Sequence, residues 1–263
     1  MSPQLIFGTA RFGMDETEFQ DVASVSSVLA ALRTLGIRRL DSGARYPPLN
    51  PGRSESLIGE APRELSRGLR RRHQGLHGRA DGWSVAGSLE RLRRTEEAGV
   101  DVLHIHRADP ATPLEEQGHC KAWGVSNQHG WKKPSCYQGE YSLVSRGAET
   151  KLLPLLRAHR VRFNAFRSVA AGFLTGKAAR GAAVTRFDAA ARERGAAPLE
   201  VAMRWIVHHS ALGDGDGVII GASRTSQVVE TVGLARKGPL SDDLLELVDE
   251  LWDAVKETRG NMI

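Results

Sequence analysis

Val25-Ser26-Ser27-Val28-Leu29-Ala30-Ala31-Leu32-Arg33-Thr34-Leu35-Gly36-Ile37-Arg38-Arg39-Leu40-Asp41 carries the pattern that decides the fold. Val28, Leu29 and Leu32 fall at helical spacing within Val25–Leu35, and Gly36 is a stop signal. A short run, Ile37–Asp41, follows at once and reads as a strand. An amphipathic helix closed by glycine and followed directly by a strand is the step from which mostly parallel α/β sheets are built.

The alternation recurs in both directions. Gln4–Gly8 reads as the first strand, and Val100–His106, Lys121–Val125, Ser135–Gln138, Arg162–Phe166 and Gly217–Gly221 as later ones. Helices are expected over Glu149–Arg160, over Pro198–Leu212 with proline at its start, and over Thr225–Arg236 and Asp242–Glu257. The last has Ser241 as N-cap and sets Leu244, Leu245, Val248, Leu251, Trp252 and Val255 on one face. An eight-stranded barrel needs one more strand, between Glu60 and Val85. That stretch has no run of Val, Ile or aromatic residues and is broken by glycines, so no buried strand is expected in it. The connections from His106 to Lys121 and from Asn127 to Ser135 are too short for a full crossover helix. The expectation is one α/β domain over residues 1–263, a (β/α)8 TIM barrel left incomplete in its third strand and in one or two outer helices.

Bulk properties set the surroundings. Of 263 residues, 41% are hydrophobic and 25% charged, enough to bury a core. The formal charge of +5 is a mild excess that suits a phosphate-bearing ligand without pointing to nucleic acid. Cys120 and Cys136, with only a short apolar run near the start, predict free thiols in a reducing, cytoplasmic setting. No stretch approaches the roughly 20 apolar residues that span a bilayer. Five arginines over Arg63–Arg72 lack interleaved aromatics, so a solvated face is expected there rather than a nucleic-acid site. His104 and His106 with Cys120 or Cys136 do not have zinc-ligand spacing, and no metal is expected.

Leu40-Asp41-Ser42-Gly43-Ala44-Arg45-Tyr46 places Asp41 at a strand's C-terminal end and Tyr46 on the next loop, and His106 stands where another strand ends. In a (β/α) barrel this is the catalytic face. A tyrosine near a histidine can hand a proton to a carbonyl oxygen if its pKa falls from about 10 toward neutrality. Gly221-Ala222-Ser223-Arg224-Thr225 leads from a strand into a helix N-terminus with an arginine beside it, where backbone N–H groups, helix dipole and guanidinium all favour a phosphate.

These residues carry a family resemblance. Phe7-Gly8-Thr9-Ala10, Asp41 to Tyr46 followed by Gly52-Arg53-Ser54-Glu55, His106-Arg107-Ala108-Asp109, Gly124-Val125-Ser126-Asn127, Tyr137 to Tyr141, Gly172 to Lys177 and Ile220 to Thr225 occur in order. The chain resembles the aldo-keto reductases, in particular the fungal aflatoxin-aldehyde reductase and norsolorinic-acid-reductase-like group. The resemblance implies NADPH as cofactor and an aldehyde or ketone of fungal secondary metabolism, polyketide or terpenoid in origin, as small-molecule substrate. It implies Tyr46 as proton donor, His106 as the residue orienting the carbonyl, and Asp41 in the same cluster near the nicotinamide ribose. Ser126, Asn127 and Gln138 would hold the carboxamide. The loop bearing Phe166, Gly172, Leu174, Gly176 and Lys177 would cross the pyrophosphate. Gly221, Ser223 and Arg224 would take the 2′-phosphate, with Gln227 and Glu230 near the adenine. A monomer or homodimer is implied.

The sequence departs from the family's pattern at Thr231, where the family has an asparagine after Glu230, and above all at the third strand. A lysine at the end of the third strand normally lowers the tyrosine pKa through its charge, yet no lysine occurs before Lys121. Arg70, Arg71 and Arg72 lie in the window, but a broad guanidinium is a poor replacement for an ammonium. Impaired reduction is therefore expected, and the alternative is a dinucleotide-binding protein without turnover.

Overall fold

A computed structural model describes residues 2–66, 70–75, 85–94, 101–105, 123–126, 134–169 and 182–259. The chain divides into two compact units, one made of Leu5–Tyr137 with Ile220–Val229, the other of Met1–Gln4, Gln138–Ile219 and Glu230–Ile263.

The first unit is a parallel half-barrel of five strands in chain order: β1 (Gln4–Gly8), β2 (Arg39–Gly43), β3 (Arg70–Gly75), β4 (Val102–Ile105) and β5 (Trp123–Ser126). Helix α1 (Val22–Thr34) joins the first two. Asp21 caps it, its carboxylate accepting from Ser24 N at 2.8 Å while Ser24 Oγ accepts from Asp21 N at 3.2 Å, a reciprocal capping box. Val25, Val28, Leu29 and Leu32 are buried, as the periodicity demands. Gly36 adopts φ 74°. Its N–H donates to Arg33 O, and Ile37 N donates to Leu32 O. A left-handed glycine closing the helix in this way turns the chain straight into β2.

Helix α2 (Arg53–Glu60) is followed by two short helices, α3 (Arg63–Ser66) and α4 (Val85–Arg91). Glu55, fully buried on α2, takes a 2.8 Å ion pair from Arg91 of α4. The approach is close enough that a Cβ on Gly59 would lie 2.0 Å from Arg91 O. Only glycine fits there.

Strand β3 corrects the expectation drawn from composition. Residues 70–75 pair with β2 through five positions, Arg39↔Arg70 to Gly43↔Gln74, and with β4 through four, Arg72↔Val102 to Gly75↔Ile105. Strand preference is set by the neighbours as much as by side-chain type, and a segment flanked by two ready edges completes its backbone hydrogen bonds by pairing with both. The connections 106–122 and 127–133, where outer helices were expected to be short or absent, lie outside the described residues.

In the second unit, β6 (Cys136–Glu140), which begins at the end of the first unit, is followed by β7 (Arg162–Phe166) and β8 (Gly217–Ile220). β7 and β8 run parallel, with Asn164↔Gly217 and Ala165↔Val218 in register. Asp216 anchors this pair from below: 1% exposed, it accepts from Phe163 N, Gly213 N and the Arg157 guanidinium. The helices are α5 (Leu152–Ala158), α6 (Ala182–Glu193), α7 (Pro198–His208) and α9 (Asp242–Arg259), while α8 (Thr225–Ala235) spans the division between units. α6 packs on α7 and α9. Tyr141, Phe163 and Trp205 form an aromatic cluster, with Arg146 over the Trp205 ring at 4.5 Å. Strand order and parallel pairing are those of a (β/α)8 barrel. No helix among the described residues is long and apolar enough to cross a membrane.

Candidate active site

Asp41, expected at the C-terminal end of its strand, lies in the middle of β2, which starts two residues later than expected and runs on to Gly43, and it is 3% exposed. Its carbonyl accepts from Thr9 N at 2.9 Å and from Thr9 Oγ1 at 3.2 Å. Thr9 is held in turn by Ser54, whose hydroxyl bonds Thr9 O and Thr9 Oγ1, each at 2.9 Å. Tyr46 is fixed at both backbone groups: its N–H donates to Gly43 O at 2.9 Å, and its carbonyl accepts from Ser54 N at 3.1 Å. One serine at the start of α2 thus ties the end of β1, the Asp41 strand and the Tyr46 loop together. Gly52, at φ 84°, makes the turn that delivers it.

The three tyrosines differ in what they can do. Tyr141 donates to Glu149 Oε1 at 2.6 Å and accepts from Ala211 N. Burial above all, then the Glu149 charge, push its pKa upward, the wrong direction for an acid catalyst. Tyr137 is buried in β6. Tyr46 is half-buried on a loop at a strand's C-terminal end.

Register extends the site across the half-barrel. Gly8, Asp41, Arg72 and Val102 stand in one row, and Gly43, Gln74 and His104 in another. β2, β3 and β4 end within one residue of one another, and β4 stops one residue before His106. His106 itself, Asn127, Gly172, Leu174, Gly176 and Lys177 lie outside the described residues, and Ser126 is described only as the last residue of β5.

Gln138 and Phe166 belong to the second unit, in β6 and at the end of β7. Gln138 is 4% exposed and its Oε1 has no hydrogen-bond partner among the described residues. A buried amide oxygen without a donor costs about 1–3 kcal/mol, so the group fits an incoming N–H such as a carboxamide brings. Phe166 is half-buried. Glu230 is exposed on α8.

The loop Gly221–Thr225 is wholly within the first unit. Gln227 Oε1 accepts from Ser223 N at 2.8 Å and Arg224 N at 3.2 Å, so its amide oxygen caps the start of the helix. A Cβ on Gly221 would meet nothing within 4 Å, and Arg224 is exposed. The space and the charge fit a phosphate. Two residues escaped the sequence reading: Arg11 Nη1 donates to Ser223 Oγ at 2.5 Å, and Glu18 Oε2 accepts from Thr225 N at 2.9 Å. Their separations along the chain, 212 and 207 residues, left no local signal. No group of three or more His, Cys, Asp or Glu side chains poised for a metal occurs among the described residues.

Comparison with known proteins follows the same lines. The profile of the Aldo/keto reductase family matches residues 4–253. The oxidoreductase sirO of Leptosphaeria maculans is 31% identical over 322 residues, covering 97% of this chain and 95% of that protein. An alignment longer than the 263-residue chain means that the relative has stretches absent here. The aflatoxin B1 aldehyde reductase member 2 of Rattus norvegicus is 27% identical, over 97% of this chain and 86% of that one. Among solved structures, an aldo/keto reductase of Klebsiella pneumoniae in complex with NADP and acetate superposes with a TM-score of 0.70 at 22% identity, covering 95% of this chain and 91% of that one.

Proposed function

The chain belongs to the Aldo/keto reductase family, with the family's (β/α)8 fold, and on that premise we propose that it reduces an aldehyde or ketone to an alcohol with NADPH, acting as one domain over residues 1–263. The observation that carries the proposal is the Thr9–Ser54 clamp, which fixes Asp41 and Tyr46 on one strand–loop–helix unit. Preorganised geometry of this kind is what acid catalysis needs, since the donor must already be in place when the carbonyl arrives.

Bound NADPH would supply the hydride to the carbonyl carbon. Tyr46 would give its phenolic proton to the carbonyl oxygen, so that the alcohol leaves with one hydride and one proton. His106, immediately after β4, would orient that oxygen, and Asp41 would complete the cluster beside the ribose. Ser126, Asn127 and Gln138 would hold the carboxamide. Phe166 and the segment with Gly172, Leu174, Gly176 and Lys177 would run along the pyrophosphate. Gly221, Ser223 and Arg224 would receive the 2′-phosphate, with Gln227 and Glu230 on the adenosine side. A carbonyl compound of fungal secondary metabolism, polyketide or terpenoid in origin, is the substrate class favoured by the resemblance to sirO and the aldehyde reductases. A cytoplasmic monomer or homodimer is the form in which this would occur.

One observation favours a slower enzyme or a binding protein. No lysine precedes Lys121, and the register puts Arg72 next to Asp41. Without a compact ammonium the tyrosine stays a weaker acid. NADPH oxidation with 4-nitrobenzaldehyde, run beside NADPH binding by fluorescence, tests both. Turnover above background supports the reductase. Binding without turnover leaves the dinucleotide-binding alternative, and absence of both removes the proposal.

A further inference from the structure

The segment Arg11–Gln20 is strapped across the start of α8. Its two ends are anchored by Phe12 and Phe19, both fully buried and packed with Phe7, at ring separations of 5.9, 6.4 and 5.3 Å. Gly13 N donates to Phe19 O at 2.7 Å, and Thr17 Oγ1 donates to Arg11 O and Met14 O. The strap is thus closed on itself. Glu18 N donates to Ser223 O at 2.9 Å, which pins it to the loop before α8.

Each buried phenylalanine is preceded by an exposed charged residue, and both charged residues reach the same loop. Arg11 bonds Ser223 Oγ. Glu18 places a carboxylate oxygen on Thr225 N, the first N–H of the helix. Gln227 Oε1 covers Ser223 N and Arg224 N. All three of these backbone donors are already engaged, one of them by a full negative charge. A carboxylate in that position is stabilised as any anion at a helix N-terminus is. Because Glu18 is exposed and its carboxylate has one hydrogen bond among the described residues, from Thr225 N, it can be displaced.

We propose that Glu18 is a built-in competitor for the adenosine end of the cofactor, occupying the α8 amide that a 2′-phosphate would use and so weakening the preference for the phosphorylated dinucleotide over the plain one. This rests on the reading that the Gly221–Thr225 loop receives the adenosine ribose. The charge logic has two sides. A carboxylate repels a 2′-phosphate at short range, whereas it accepts a hydrogen bond from a free ribose 2′-hydroxyl. Arg11 and Arg224 pull the other way. The loop therefore sits between the two cofactor types, and Glu18 is the residue that tips it.

The test uses the full-length chain and two fragments, 2′,5′-ADP and 5′-AMP, in calorimetric titrations of the wild type, Glu18→Gln, Glu18→Ala and Arg224→Ala. Both Glu18 variants should bind 2′,5′-ADP about two- to five-fold more tightly, the range expected for one exposed charge at a helix terminus. 5′-AMP should bind equally or more weakly, and the gain should shrink as salt is raised from low to near-molar ionic strength. Unchanged 2′,5′-ADP affinity in both Glu18 variants, with affinity lost in Arg224→Ala, overturns the role of Glu18 and leaves the cofactor site standing. The same fold-gain for both fragments also overturns it, since the effect would then not concern the 2′-phosphate. No binding of 2′,5′-ADP by any variant overturns the inference together with the cofactor reading beneath it.

Discussion

Strands β2 and β3 lie side by side in one sheet and were made by different means. β2 is announced by its own residues: a periodic helix, a left-handed glycine and a run whose side chains are all buried. β3 reads Arg-Arg-Arg-His-Gln-Gly, a composition with little intrinsic strand preference, and exists through backbone pairing to β2 on one side and β4 on the other. The contrast teaches that a sheet can carry a strand whose own composition does not call for one. In register, Arg72 of β3 is the residue that pairs with Asp41 of β2.

Four substitutions would sharpen or break that comparison. The largest effect is expected from Arg72→Lys. If β3 has kept its place but lost its chemistry, an ammonium at the register position beside Asp41 should raise carbonyl-reduction kcat by roughly tenfold or more, a part of the ~10²–10⁴ that a general acid contributes. The alkaline limb of the pH–rate profile should move down with it. An unaltered rate and profile would show that the register position does not govern Tyr46.

Stability gives the second contrast. Leu40 is fully buried in β2, and Leu40→Ala should cost about 2–5 kcal/mol in denaturant unfolding. Its register neighbour Arg71 carries β3 through its backbone. Arg71→Pro removes an N–H from the sheet and should cost at least the ~1 kcal/mol of a hydrogen bond. A proline there without effect on the unfolding midpoint would mean that β3 contributes nothing to the sheet.

The smallest effect concerns pH in the second unit, where the local chemistry is conventional. His209 Nε2 accepts from Leu240 N at 2.8 Å. Burial first, then the neighbouring charges of His208 and Arg204, hold its pKa below the ordinary 6.5. A depressed folded-state value means that the neutral ring's contribution is present above the unfolded value and is lost as pH falls below it. Thermal midpoints should therefore decline modestly between pH 7 and 5, and His209→Gln should flatten the decline. An identical slope in the variant would assign the effect elsewhere.

What the sequence revealed follows the same division. β1 and β7 were legible to the residue as short runs, and α1 with its glycine stop through its buried face, except for its first turn and the Asp21 cap. α9 was legible through its Ser241 cap and apolar stripe. β3 was not, since its cause lies in two other strands. α2 and α6 were missed because a short or weakly apolar helix leaves little periodic trace. Within the site, Asp41 and Tyr46 stood out by motif. The clamp that aligns them, Thr9 to Ser54, spans 45 residues and is visible only when folded. Arg11 and Glu18 belong to the same class of long-range contact. Gln227 is expected near the adenine, and its amide oxygen accepts from the Ser223 and Arg224 N–H groups, a cap the sequence reading does not contain.

The most direct test of the account is single-turnover reduction of 4-nitrobenzaldehyde by wild type and Tyr46→Phe across pH 5–9, with NADPH binding measured on both. The account predicts equal binding and a rate lowered by ~10²–10⁴ in the variant, with loss of the wild-type alkaline limb. A Tyr46→Phe protein that reduces the aldehyde as fast as the wild type, with the same pH profile, would contradict it.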